Sequence, residues 1–195
     1  MLFVGNIFPF DEYRQYIDFD SFDPVIQTLF LHARARLETW VGSRSAEESF
    51  IIPDCEQWVR ASADDLGLEL LEDPVGVRSL AYYFRYRIAH YVLREAYVRA
   101  LTDFDFVLYG RGWDQFEGLE SISQPRIENG ADLREAIQRS AINIHLHTWT
   151  VHHPRLYDTA AAAGFLLVGR VPEIDPLETV FEVGEELDTF GSIEE

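Results

Sequence analysis

The sequence predicts an α/β protein with a parallel sheet, covering helices and a large helical insertion after the first strand. Short apolar runs that end at turn residues alternate with short helical stretches in the second half of the chain. A long, mainly helical stretch separates the first apolar run from the others. The 195 residues suffice for one core, so we expect a single domain over 1–195, with a mainly helical insertion at 8–102 and an α/β core at 103–195.

The first half begins with a strand and continues as helices. The apolar run at 1–4 stops at Gly5-Asn6, as a buried strand followed by a turn would. Asp23-Pro24 and Asp73-Pro74 are helix-start signals, and Ser45 followed by Glu48 is typical of a capping box. The predicted helices are 24–42, a weaker one that starts at Ser45 and is interrupted at Pro53, and a long one at 74–101.

The second half alternates strands and helices in close order. The predicted strands are 104–109, 141–146 and 165–168, and the predicted helices are 132–139 and 154–163. Gly110 closes the first of these strands, and Gly164 ends the second helix. This order favours a parallel sheet, because parallel neighbours need a crossover connection that is usually a helix.

The composition excludes several classes of protein. The formal net charge is −18, and all sixteen basic residues are Arg. Such a field repels nucleic acid and anionic membranes, and the lack of Lys excludes Schiff-base and P-loop lysine chemistry. Cys55 is the only cysteine, which leaves no intrachain disulfide or multi-cysteine metal site. No apolar run is long enough to span a membrane and no signal-peptide pattern is present, so we expect a cytoplasmic protein.

Open α/β sheets bind ligands beyond the carboxyl ends of their strands. That rule selects four loops: Gly5-Asn6, the turn at 110–113, the loop at 147–155 and Gly169-Arg170. The third loop is the longest and the most polar. Gly110-Arg111-Gly112 lacks the third glycine of the dinucleotide fingerprint, and a plain tight turn explains it equally well.

The run from His153 to Asp158 contains the clearest binding chemistry. Pro154 favours a helix start, which leaves the first backbone N–H groups free to face an anion. Arg155 adds a fixed positive charge suited to a phosphate, and Asp158, one turn later, is placed to bind a sugar diol. These residues predict a site for a nucleoside diphosphate. The alternative is a surface Arg155–Asp158 ion pair with no ligand.

The segment 145–153 contains four of the six histidines. Alternation along a strand would put His145 and His147 on one face, which is a geometry able to chelate a transition metal. No carboxylate lies within the segment. The competing interpretation is that neutral imidazoles line a ligand pocket and donate hydrogen bonds.

Six short motifs stand in a distinctive order in this chain. They are Phe3-Val4-Gly5-Asn6 and the segments 107–113, 140–146, 155–158, 163–167 and 181–187. In this order the chain resembles the glycosyltransferase family-1-like domains of spore-maturation-type proteins, the CgeB-like group with a GT-B fold. The likeness is dense from about Asp103 to the end and loose between Phe8 and Thr102.

The resemblance implies the Rossmann-like C-terminal half of a GT-B fold, which binds a nucleoside-diphosphate sugar without a metal or another cofactor. Asp158 takes the place of the acidic residue that contacts the ribose. Thr150 stands where retaining relatives carry a second Glu. Because the chain has no Lys, the resemblance leaves Arg14, Arg111 and Arg155 as substitutes for the Arg and Lys that hold the diphosphate in those relatives.

In GT-B enzymes the acceptor site and the catalytic base usually lie on an N-terminal domain. The resemblance therefore implies part of a glycosyltransferase, inactive alone, whose partners are the donor sugar nucleotide and an N-terminal acceptor domain. No residue is assigned as catalytic. The candidate binding residues are Gly5, Asn6, Tyr109, Gly110, Arg111, His147, His153, Arg155 and Asp158.

Two other hypotheses remain open. The chain could be a non-catalytic protein-interaction domain that uses the aromatic helix at 74–101 as an interface. It could also be a metal enzyme based on its histidines.

Overall fold

A computed structural model of the chain describes residues 1–44, 54–70, 74–147, 150, 152–170 and 177–191. Its core is a six-stranded parallel sheet flanked by helices, which confirms the predicted Rossmann-like α/β fold. The strands are β1 (Leu2–Val4), β2 (Val107–Tyr109), β3 (Ser123–Gln124), β4 (Asn143–His145), β5 (Leu166–Gly169) and β6 (Leu187–Phe190). The helices are α1 (Phe10–Tyr16), α2 (Pro24–Gly42), α3 (Cys55–Asp65), α4 (Pro74–Tyr83), α5 (His90–Ala100), α6 (Ala131–Arg139) and α7 (Pro154–Ala161).

The sheet has the strand order β3-β2-β1-β4-β5-β6, and all neighbouring strands are parallel. The chain therefore builds one half of the sheet outward from β1 and then crosses to β4 to build the other half. Helices α1 to α5 all lie between β1 and β2 in sequence. The strands β3 and β6 were not predicted. β3 has only two residues, which is too few to show a period, and β6 has buried residues only at its two ends, Leu187 and Phe190.

The helical insertion has a core of its own, rich in aromatic rings. Phe19, Phe30 and Phe84 are buried there, and the Phe30 ring stacks on that of Tyr83 with 5.0 Å between centroids. Helix α2 begins as predicted, since Asp23 accepts a hydrogen bond from Val25 N and Pro24 occupies the first turn. Helix α3 is capped by Asp54. The weaker helix that we expected to start at Ser45 falls at 45–53, outside the described residues.

The long helix predicted at 74–101 contains a π-helical turn, Phe84–Ala89, between α4 and α5. An unbroken α-helical period puts Val92 and Ala96 on the buried face. In the structure, the buried residues of α5 are instead His90, Leu93, Arg94, Tyr97 and Val98. The π turn shifts the buried face along the sequence because its hydrogen bonds span five residues rather than four. This shift brings an arginine inside the protein.

Helix α7 ends at Ala161, two residues before its predicted end. The residue with positive φ after it is Ala163, at 58°, whereas we expected Gly164 to end the helix. Gly164 has a packing role instead. A Cβ atom there would lie 2.4 Å from Ile137 Cγ2 and 2.7 Å from Asn143 Nδ2, so Gly164 lets the chain pass close to α6 and β4.

Candidate functional site

The candidate site lies where the strand order reverses. β1 pairs with β2 on one side and with β4 on the other. The connection after β1 leads to β2 on one side, whereas the connection after β4 leads to β5 on the other side. In open parallel sheets, this switch point leaves a crevice at the carboxyl ends of the strands. The loops after β1, β2 and β4 border that crevice.

The loops after β1 and β2 are joined by backbone hydrogen bonds. Gly5 N donates to Tyr109 O at 2.9 Å, Ile7 N donates to Arg111 O at 3.0 Å, and the Asn6 side chain accepts from Arg111 N at 2.9 Å. Gly110 and Gly112 have φ of 150° and 86°. A Cβ atom on Gly112 would lie 1.8 Å from Ile7 O. These glycines therefore allow two loops to pack closely, which is a more specific role than a tight turn.

The crevice contains a cavity of about 470 Å³. Seven of the nine candidate residues line it: Gly5, Asn6, Tyr109, Gly110, His147, His153 and Arg155. The Arg111 side chain is exposed and does not line the cavity, and neither does Asp158, which lies 3.7 Å from Arg155. Arg14 lies on α1, where it pairs with Asp20. Their position beside the cavity does not test ligand binding, so binding by these residues stays a prediction.

Arg94 is the most unusual residue of the cavity wall. It is only 8% exposed, its Nη1 donates to Asn6 O at 2.8 Å, and its Nε has no hydrogen-bond partner. Burial lowers the pKa of its guanidinium to about 10, so the group stays charged at neutral pH. In the described part of the chain, no carboxylate forms an ion pair with it. A buried, uncompensated charge is costly, so an anion in the cavity would stabilise it.

Helix α7 points its first turn at the same cavity. His153 caps it by accepting a hydrogen bond at Nδ1 from Arg155 N at 3.3 Å. A ring nitrogen that accepts a hydrogen bond carries no proton, so the neutral ring carries its proton on Nε2 and can donate from there. Arg155 Nη2 bonds to Asn129 Oδ1 at 3.3 Å, which orients the guanidinium at the helix start. The predicted helix start, Arg155 and His153 thus meet at one place.

Four histidines have rings in contact with one another, and we name them the histidine cluster: His90 from α5, His145 from β4, and His147 and His153 from the following loop. The His147 ring lies 4.3 Å from that of His153, 5.5 Å from that of His145 and 5.4 Å from that of His90. Burial, followed by the charge of Arg94, lowers the pKa of His147 to about 2, and the same causes lower the pKa values of His90 and His153. His90, His147 and His153 are therefore neutral at pH 7.

The described residues include no group of three His, Cys, Asp or Glu side chains that could hold a metal ion. The geometry thus gives no support to the hypothesis of a metal enzyme based on His145 and His147. The stacked rings agree better with the competing interpretation, in which neutral imidazoles line a pocket.

The cavity reverses the charge of the rest of the molecule. The chain has 34 acidic and 16 basic residues, yet the described residues that line the cavity include three arginines, Arg94, Arg126 and Arg155, and no carboxylate. A cationic cleft in an acidic protein concentrates anions locally. Sequence reasoning missed Arg94, Arg126 and Asn129. The burial of Arg94 could not be predicted, because Arg94 lies outside the face that an unbroken α-helix would bury.

Strand order and cavity together define a doubly wound α/β domain with a cationic cleft at its switch point. A family model described as glycosyl transferase-like matches residues 87–195, more than half of the chain, so the protein belongs to that family. The matched segment contains Arg94, the histidine cluster and α7. No curated protein and no solved structure matches the chain. None of the described helices is both long enough and apolar enough to cross a membrane.

Proposed function

We propose that the cavity binds the diphosphate of a nucleoside-diphosphate sugar, and that the chain is the donor-binding domain of a GT-B glycosyltransferase of the CgeB-like group. The observation that carries the proposal is the reversed charge of the cavity, where Arg94, Arg126 and Arg155 face no carboxylate of the described lining. Arg126 and Arg155 have Glu128 and Asp158 beside them outside the lining, so a diphosphate mainly supplies the negative charge that Arg94 lacks among the described residues. The start of α7 adds backbone N–H groups that favour an anion at the same place.

Asp158 keeps a part in this proposal although it does not line the cavity. It sits one turn inside α7, and its carboxylate is partly exposed beside Arg155. A ribose attached to a diphosphate at the start of α7 would extend along the helix toward Asp158. Transfer to an acceptor would then use a catalytic base from an N-terminal domain, as the resemblance to GT-B enzymes implies. Donor binding without a metal and a cytoplasmic location are further parts of this hypothesis.

Calorimetric titration with UDP, GDP and dTDP sugars at millimolar concentration tests the proposal, and we expect heat of binding with at least one of them. Replacing the buried charge by an apolar side chain, Arg94→Met, should abolish that heat. The free energy of unfolding should fall by less than about 1 kcal/mol, because the lost hydrogen bond is offset by removing a buried charge.

Arg99→Met is the matched control, because Arg99 lies on the same helix but pairs with Glu95 at the surface. It should leave the binding heat unchanged. If none of the sugar nucleotides produces heat, or if Arg94→Met binds as well as the unchanged protein, the proposal is wrong.

The alternative is a non-catalytic interaction domain on the same fold. It would use the apolar groove of about 670 Å³ beside α4, where Val75 and Tyr82 are exposed. The two hypotheses differ over the cavity. An interaction domain has no need of a buried arginine without an ion-pair partner. Heat of binding with a sugar nucleotide therefore favours the donor-binding function.

A further inference from the structure

We propose that the cavity is a proton-coupled oxyanion site, in which a phosphate group bound beside Arg94 brings a proton onto the histidine cluster. The inference rests on the proposed function, and it adds how the donor's phosphates are recognised. The cluster lies against Arg94, and three of its four members line the cavity.

The geometry couples the histidines to one another. His147 is in ring contact with each of the other three, at centroid distances between 4.3 and 5.5 Å. A proton on one imidazole therefore disfavours protonation of the neighbouring imidazoles by charge repulsion. His153 also couples the cluster to α7, because its Nδ1 caps that helix.

Burial and the surrounding charges explain why His90, His147 and His153 are neutral. The titratable and charged groups that face it are Arg94 and Tyr91 from α5, Tyr109 from β2, Arg126 from the loop after β3, and Arg155 and Asp158 from α7. Asp158 is the only carboxylate among these described neighbours, and it acts on His153. A proton entering the cluster thus meets mainly positive charge in a desolvated place.

An oxyanion in the cavity reverses this balance. Its negative charge offsets Arg94 and favours the imidazolium form of a neighbouring histidine. Because linkage is reciprocal, a protonated cluster also binds the oxyanion more tightly. Uptake of one proton would change the affinity by up to about tenfold per pH unit.

The ligand-free protein supplies a second readout. Burial depresses the pKa values of His90 and His147 in the folded state below their ordinary value of 6.5. The unfolded chain therefore binds more protons below pH 6.5. The contribution of these two groups to the free energy of unfolding is fully present above that pH and is lost progressively as the pH falls below it. An oxyanion that brings a proton onto the cluster should reduce this loss.

Inorganic sulfate is a suitable probe, because it stays doubly charged between pH 8 and pH 5.5 and any pH dependence comes from the protein. Histidine ring signals are followed by NMR across this range, with and without sulfate, at constant ionic strength. We expect at least one cluster histidine to titrate at higher pH with sulfate, and the sulfate affinity to rise by about threefold to tenfold per pH unit as the pH falls.

Two variants assign the effect. His147→Gln keeps a hydrogen-bonding side chain but cannot titrate, and it should flatten the pH dependence of sulfate affinity. His32→Gln is the control, because His32 lies on α2 beside Asp65, outside the cavity, and it should leave that dependence unchanged.

Two results with the unsubstituted protein would each overturn the inference. One is a sulfate affinity that does not vary with pH, and the other is that sulfate leaves the titration of the cluster signals unchanged. Absence of any sulfate binding would also overturn it. The calorimetric titration with sugar nucleotides is independent of these outcomes, so binding of a sugar nucleotide without proton coupling would leave the proposed function standing.

Discussion

The helical insertion and the cavity use arginine in different ways. In the insertion, Arg34 bonds to Glu38 at 2.8 Å and lies over the Phe10 ring at 4.3 Å, and Arg36 bonds to Asp65 at 2.9 Å and lies over the Trp58 ring at 5.2 Å. The positive charges of Arg34 and Arg36 are thus compensated within the fold. Arg94, in contrast, is buried without an ion-pair partner in the described part of the chain.

The two kinds of arginine therefore contribute to different properties, one to stability and the other to ligand binding. Compensated arginines at the surface add little beyond packing, because exposed ion pairs are weak and screened by salt. An uncompensated arginine in a cavity lowers stability until an anion arrives, which is a cost that folded proteins accept at binding sites. The two regions should therefore respond differently to substitution.

The largest effect should come from the core of the insertion. Phe30 is completely buried among the rings of Phe19, Phe22 and Tyr83. Phe30→Ala should lower the free energy of unfolding by about 3–5 kcal/mol, since it removes apolar contacts and leaves a void. Urea unfolding measures this. The exposed Phe104 is the control, and Phe104→Ala should change stability by about 0.5 kcal/mol or less. A loss near that of the control would mean that the insertion has no tight core.

The next effect concerns affinity rather than stability. Arg155→Ala should weaken binding of the sugar nucleotide that produces heat by about 1.5–3 kcal/mol, because it removes a charge-assisted hydrogen bond to phosphate. The dissociation constant from calorimetry measures this. Arg139→Ala, on the exposed end of α6, should leave the constant unchanged. An unaltered affinity in Arg155→Ala would remove Arg155 from the site.

The smallest effect should come from a compensated arginine. Arg36→Ala should lower the free energy of unfolding by about 1 kcal/mol or less, because its ion pair with Asp65 is partly exposed. Ligand affinity should not change. The difference from the unchanged protein should shrink further in 0.5 M salt. A large stability loss, or any loss of affinity, would contradict the contrast drawn between the two regions.

Much of the fold and part of the site could be predicted from the sequence. The strands at 2–4, 107–109, 143–145 and 166–169 lie within or overlap the apolar runs that predicted them, because burial on both faces of a parallel sheet demands continuous apolar residues. His153, Pro154 and Arg155 were found from helix-start chemistry, which is local. Arg111 was selected with them, yet its side chain lies outside the cavity, since its backbone is what joins the loops after β1 and β2.

What the sequence by itself determined was the order of strands and helices and the loops at the carboxyl ends of the strands, since both follow from local periodicity and turn residues. Only the tertiary structure decided the strand order, the closeness of Arg94 to α7 and the contact between the rings of His90 and His147. Those features depend on a π turn that rotates α5 and on contacts between residues more than fifty positions apart. Local sequence patterns do not encode such contacts, because they arise only when separate elements pack together.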